Sequence, residues 1–410
     1  MTPNERRATG CLAAVFAVRL LGLFMIYPVF EAYARGLPGA SPAMIGLALG
    51  AYGLTQGLLQ IPFGLLSDRI GRKIMITIGL LFFAGGSVIA ARAGSIEGVL
   101  FGRILQGAGA VGSVVLALVA DLTRQEVRTR AMAMVGVTIG LAFVVAIVVG
   151  PILNAVIGVP GIFWLTAVLA LAGIAITLGL VPSPERLVVH RESEAVPALI
   201  SRVLVDRELL RLDVGIFSLH AILTASFLAV PTLLAAAFGT GASREWMIYL
   251  PVLVASVALM VPAVILAERR GMMKEVFITA IAVLAASVFA LGFAGDGAVT
   301  VIVALVLFFA AFNSMEAMLP SLVSRFAPPD AKGTAMGVYS SMQFLGIFAG
   351  GAIGGVALSW SGPRGVCIFA TLVALAWLGT AVAMPKPAGA RGRTAGASKP
   401  REARGGDIAR

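Results

Sequence analysis

Between about residue 11 and Met384 the chain is a series of apolar runs, each roughly 20 residues long and so able to cross a bilayer core. Short breaks carrying Gly, Pro and charge separate them, as turn chemistry requires. A transmembrane β-barrel would instead show alternating segments of about ten residues. Twelve spans fit the hydropathy, at approximately 11–34, 43–66, 73–92, 97–119, 131–156, 160–181, 210–236, 245–267, 274–294, 298–323, 333–358 and 363–384. The expected fold class is therefore an all-α integral membrane protein of twelve transmembrane helices. Composition agrees: 59% of the 410 residues are hydrophobic and only 12% are charged, about half the charge a water-soluble domain carries.

The net charge of +11 suggests nucleic acid only until its distribution is examined. With the N-terminus and every second loop on one side, 25 of the 31 Lys and Arg fall on that side. The opposite loops hold Arg35, Arg92, Arg244 and Arg364, and Arg19 and Arg103 lie within spans. This asymmetry is the positive-inside pattern. It predicts a multi-pass protein of a bacterial inner (plasma) membrane with both termini cytoplasmic, touching lipid and no nucleic acid. The opening MTPNERR is followed by a run that is too long for a signal peptide and contains Arg19, so it reads as a retained first helix. Cys11 and Cys367 define no disulfide framework.

The sixth and seventh spans are joined by a polar, mixed-charge connection. The expected organisation is a six-helix bundle over 1–181, a cytoplasmic linker over 182–209, a second bundle over 210–384 and a disordered basic tail over 385–410. An internal repeat supports two related halves. Pro62-x5-Asp68-Arg69-x-Gly71 matches Pro262-x5-Glu268-Arg269-x-Gly271, and Arg128-Thr-Arg-Ala-Met matches Lys332-Gly-Thr-Ala-Met. Duplicated halves with a site between them are a recurring transporter plan.

Gly64-x-Leu-Ser-Asp68-Arg69-x-Gly71-Arg72-Lys73 resembles the signature between the second and third helices of the major facilitator superfamily. Arg103-Ile-Leu-Gln-Gly-x-Gly resembles its fourth-helix motif. The stretches MTPNERRAT, QIPFGLLSDRIGRK and KGTAMGVYSSMQFLG are similar to a branch of proton-driven drug antiporters whose members carry a folded C-terminal domain; only a short tail follows the last span here. In the fifth span Gly150-Pro151 is kept, but Ala146, Asn154 and Ala155 stand where the antiporter motif has glycines. The resemblance implies two pseudo-symmetric bundles, alternating access, no enzymatic activity and no cofactor.

Ionisable groups deep in a membrane are functional-site candidates. Glu316 lies in the tenth span, with Asn313 three residues before it, and His220 lies in the seventh. Each is nine residues from an arginine at the terminal side, Arg325 and Arg211, which places both roughly 13 Å deep. Such a pair can exchange a proton near neutral pH or hold two helices in register. The resemblance places a protonatable pair here, on helices that line its cavity. Arg19, twelve residues beyond Arg7, reads as the partner of a carboxylate or of an anionic substrate group. Arg103 is six residues after Glu97 and so within snorkelling range of the outer surface, while its resemblance to the fourth-helix motif implies a role in proton coupling; Glu31 is in reach of Arg103 or is an interfacial charge. Tyr52, Gln56, Gln60, Tyr339 and Gln343 are available to supply hydrogen bonds.

At the terminal side Asp68 and Asp121 end the second and fourth spans, with Arg72 between them, which predicts an Asp–Arg–Asp relay beside Arg69 and Lys73. The resemblance also sets Asp68 against the N-terminus of the eleventh span at Gly333, a contact between halves that locks the outward-open state. Gly107-x-Gly109-x-x-Gly112 matches a dinucleotide fingerprint only in letters, since no strand precedes it. No metal-binding or nucleophilic constellation is legible, and a sensor or lipid-handling enzyme has no motif to rest on. The expected function is proton-coupled secondary transport by a monomer. The leading form is an H+-antiport exporter of small hydrophobic or amphiphilic compounds, and the alternative is proton symport of a small anion.

Overall fold

A computed structural model describes residues 1–182, 197–239, 241, 244–295, 297–328 and 330–385. Half of the 182–209 connection and nearly all of the 385–410 tail therefore lie outside the described residues. The chain forms α1 (Pro3–Phe24), α2 (Tyr27–Ala34), α3 (Pro42–Ile70), α4 (Arg72–Arg92), α5 (Ile96–Ala108), α6 (Gly112–Asp121) and α7 (Gln125–Gly179). Then follow α8 (Pro197–Val205), α9 (Arg207–Phe238), α10 (Trp246–Arg269), α11 (Met273–Phe293), α12 (Ala298–Phe326) and α13 (Lys332–Val382).

Local chemistry sets the helix ends. Thr2 and Glu5 cap α1 reciprocally, the Glu5 N–H donating to Thr2 Oγ1 at 3.2 Å and the Thr2 N–H to Glu5 Oε2 at 2.6 Å. Ser41, Ser95 and Asp206 cap α3, α5 and α9. Pro28 lacks an N–H and crowds the preceding turn; the chain breaks between α1 and α2 just before it.

Two helices are far longer than a bilayer needs. α7 has 55 residues and bends at Gly158, where φ is +67°, just before Pro160; α13 has 51 and bends at Ser361 and Gly362, just before Pro363. Each is therefore two passes. With α1 and α2 sharing one pass, and α5 and α6 another, the chain crosses twelve times, which puts both ends on one face. α8 lies within the connection between halves.

The surface is what a lipid-facing protein requires. Val156, Trp360 and Val137 are 79%, 81% and 73% exposed, a pattern water would punish and hydrocarbon does not. Within the first half α1 and α4 pack on α7, and α5 packs on α3 and α4; within the second, α9 packs on α13 and α12 on α10 and α11.

The halves meet mainly where α3 lies against α13. Gly46, Gly50, Gly53 and Gly57 form a stripe at helical spacing on α3 and touch Gly351, Phe348, Phe344 and Ser341 of α13 backbone to backbone. Lipid offers no hydrophobic drive for helix association, so close approach of small residues supplies the packing energy. A second stripe on α13, Gly346 and Gly350, sits on the carbonyls of Phe217 and Ala221 in α9. α13 thus binds its own half with one face and the other half with another.

Candidate functional site

The structure brings His220 of α9, Glu316 of α12 and Gln343 of α13 together. Gln343 Nε2 donates to His220 Nε2 at 2.9 Å and to Glu316 Oε1 at 3.3 Å, and His220 Nε2 stands 3.8 Å from Glu316 Oε2. His220 Nδ1 lies 3.3 Å from the Ile216 carbonyl, so Nδ1–H donates there and Nε2 is left as an acceptor. One amide therefore joins a carboxylate to a neutral imidazole. Glu316 keeps 36% of its side-chain surface accessible, while His220 is buried against Phe312, ring centroids 5.7 Å apart. A part-buried acid, its Oε2 shielded beside the imidazole, can bind a proton and pass on its effect through Gln343. Asn313 points elsewhere: its amide donates to Ser256 of α10 at 3.3 Å.

In the first half Arg19 and Arg103 bracket Tyr52. Arg19 donates to Gln56 Oε1 and to the Tyr52 hydroxyl, and Gln56 in turn donates to Gln60 at 2.7 Å. Arg103 donates to Gln106 Oε1 at 2.9 Å and to the Leu49 carbonyl at 3.1 Å, and lies 5.1 Å over the Tyr52 ring. Two of the alternatives open in the sequence are decided here. Arg103 does not snorkel to the surface: it is fully buried, its guanidinium held inward by the Leu49 carbonyl of α3. Glu31 does not reach Arg103 either; it ion-pairs with Arg35, one turn along the same helix. Neither buried arginine has a carboxylate partner among the described residues.

Near the terminal face Arg72 is buried between two acids. It ion-pairs with Asp68 and with Asp121, whose Oδ2 is 3.1 Å from Arg72 Nε, and Nη1 also donates to Ser67 Oγ at 2.6 Å. Gly71 holds a φ of +103° that a side chain would strain, which turns the chain sharply from α3 into α4 and points Arg72 back under the bundle. Its repeat counterpart Gly271 has φ +68° at the same kind of turn. Arg69 is exposed and Lys73 half-buried in the same turn. Here α3 and α13 diverge, leaving a crevice lined by Gly64, Asp68, Arg72, Ser113, Gly333 and Gly337. The face with the termini is loosely joined, and the opposite face is sealed by the glycine contacts.

The glycine stripe on α3 and the buried Gln106–Ser87 bond (2.7 Å) behind Arg103 were not singled out from sequence. Small residues at i, i+4, i+7 and i+11 in an apolar run were the available signal for the stripe. Gly107 and Gly109 serve packing, against the Tyr52 carbonyl and Gly79.

Comparison with known proteins follows from this geometry. The family model described as Major Facilitator Superfamily matches residues 12–251 and 212–406. The inner membrane transport protein YajR of Escherichia coli strain K12 is 46% identical over 387 residues, covering 94% of this chain and 85% of that protein. The multidrug resistance protein MdtL of Shewanella sp. strain ANA-3 is 31% identical over 159 residues, covering 37% of this chain and 40% of its own length. Among solved structures, the human organic anion transporter MFSD10 (TETRAN) superposes with a TM-score of 0.68 over 93% of this chain and all of that one, at 20% identity.

Proposed function

Since this chain belongs to the major facilitator superfamily and is a multi-pass inner-membrane transporter, we propose that it is an H+-antiport exporter of small hydrophobic or amphiphilic compounds. The observation that carries this reading is the Glu316–Gln343–His220 cluster, a part-buried carboxylate one amide away from a neutral imidazole. Antiport needs one site that proton and substrate occupy in alternation. Glu316 is charged and able to hold a cationic or amphiphilic substrate when bare, and loses that attraction when it takes a proton. Partial likeness to proteins named for multidrug resistance supports the substrate class.

Alternating access follows from the two ends of the α3–α13 contact. Glycine packing closes one face. Asp68 and Gly333 line one crevice at the other, where closing it would set the carboxylate against the N-terminus of α13, whose N–H groups and dipole favour an anion. The basic terminal loops support a cytoplasmic position for that crevice. The working unit is a monomer, and its partners are the small-molecule substrate, protons and lipid.

The test is substrate-driven proton movement in everted membrane vesicles. Export by antiport releases protons from the vesicle lumen when substrate is added; loss of that signal in Glu316→Gln is the expected result. A second reading, proton symport of a small anion, is favoured by Arg19 and Arg103, two buried cations without an acidic partner among the described residues. The sign of the pH change on substrate addition separates the two.

A further inference from the structure

The face opposite the termini contains two glutamates that the transport reading does not use. Glu31 lies on α2 in the first half, and Glu245 immediately precedes α10 in the second. Both are buried, at 3% and 1% exposure. Each has a tyrosine one helical turn deeper, Tyr27 for Glu31 and Tyr249 for Glu245. Between the tyrosines stands Phe227 of α9, its ring centroid 5.5 Å from Tyr27 and 6.3 Å from Tyr249. The halves are thus plugged by three aromatic rings in edge and tilted contact, with a carboxylate from each half above them.

The two acids are not equivalent. Glu31 is ion-paired with Arg35, whose side chain is half exposed. Glu245 has no ion-pair partner among the described residues, and its Oε2 is buried without a hydrogen-bond donor. The groups that face it are Tyr249 on its own element and the Glu31 carboxylate across the interface; its chain neighbour Arg244 is exposed. A bare charge in that position is disfavoured, because water is withdrawn from it and no cation replaces the water. Glu245 lies just outside the membrane-spanning helix Trp246–Arg269, and burial, opposed by the Tyr249 hydroxyl and helped by the Glu31 charge, pushes its carboxyl up to about 8.

We propose that Glu245 is a proton-binding site that latches this face: holding a proton it lets the halves close over the aromatic plug, and losing the proton it drives them apart. The sign follows from linkage. The closed state raises the affinity of Glu245 for its proton, so closure is favoured at low pH and is lost as pH rises through about 8. When the face is open, Glu245 meets water and returns towards an ordinary carboxylate. A proton taken from that side therefore closes the gate behind it. The latch rests on the gate geometry and does not require Glu316 to carry the coupled proton.

The experiment is pulsed electron–electron spin resonance on full-length protein in detergent, with spin labels at Gly36→Cys and Met247→Cys and with Cys11 and Cys367 changed to Ser. In the otherwise unaltered protein, a long-distance population should grow several-fold between about pH 6 and about pH 9. Glu245→Gln should hold the short distance throughout, and Glu245→Asp, which still titrates, should keep the response. Glu31→Gln should shrink its amplitude. The same change should persist in a Glu316→Gln background, which separates the latch from the transport site. A pH response unchanged in Glu245→Gln, a response abolished by Glu316→Gln alone, or no response at all would overturn the proposal.

Discussion

Gly46 of α3 and Gly351 of α13 press backbone on backbone across the two halves, so that a methyl group on either would strike the other's carbonyl oxygen. Backbone cannot yield as a flexible side chain does. Gly46→Val should therefore cost the closed state about 1–3 kcal/mol, a shift of roughly 5- to 150-fold toward opening at that face. The check is maleimide labelling of a cysteine at position 347, where Ile347 is buried in the closed structure. Unchanged labelling would mean that this contact does not hold the gate.

Glu316→Gln keeps the shape of the side chain beside Gln343 and removes only the titration. Interhelical hydrogen bonds in membrane proteins average about 0.6 kcal/mol, so folding should survive with a thermal midpoint close to that of the parent. Proton-coupled export in everted vesicles should vanish. Undiminished export by this variant would remove Glu316 from the coupling site.

Asp68→Asn takes one of two acids from Arg72 and leaves Asp121 at 3.1 Å. The substitution also removes the charge that the N-terminus of α13 attracts, a contact worth up to about 1 kcal/mol, so the state in which Asp68 meets α13 should lose up to about fivefold in population. Labelling from the terminal face of a cysteine at Ser113, which lines the crevice, should rise accordingly. A fall would reverse the assignment of this cluster as a lock on that face.

Arg103→Lys keeps the charge but cannot hold Gln106 and the Leu49 carbonyl in one planar fork. Losing one charge-assisted bond costs about 1.5–3 kcal/mol, and the purified protein should unfold at a lower temperature. Arg19→Gln tests the substrate's charge. Export of neutral and cationic compounds should continue, whereas a tenfold or greater loss of affinity confined to anions would favour the symport reading.

Much of the architecture could be read from one dimension. Run length and loop charge gave the twelve passes and the side on which the basic loops gather. Counting nine residues inward from Arg211 and Arg325 put His220 and Glu316 at one depth, because rise per residue is nearly constant along a helix. The turn at Gly71 set Arg72 between Asp68 and Asp121. The Glu31–Arg35 pair was equally legible, being four residues apart on one helix.

Hydropathy, span depth, topology and the local Asp68–Arg72 cluster were determined by the sequence alone, since each depends on spacing along a single chain segment. Only the tertiary structure decided which way each helix is turned about its axis. That rotation buries Arg103 on Tyr52, aims Asn313 at Ser256 and not at His220, and sets Glu245 within the field of Glu31. Helix rotation is chosen by the sum of many contacts between segments far apart in sequence, with the glycine stripes of α3 and α13 setting how closely the halves approach.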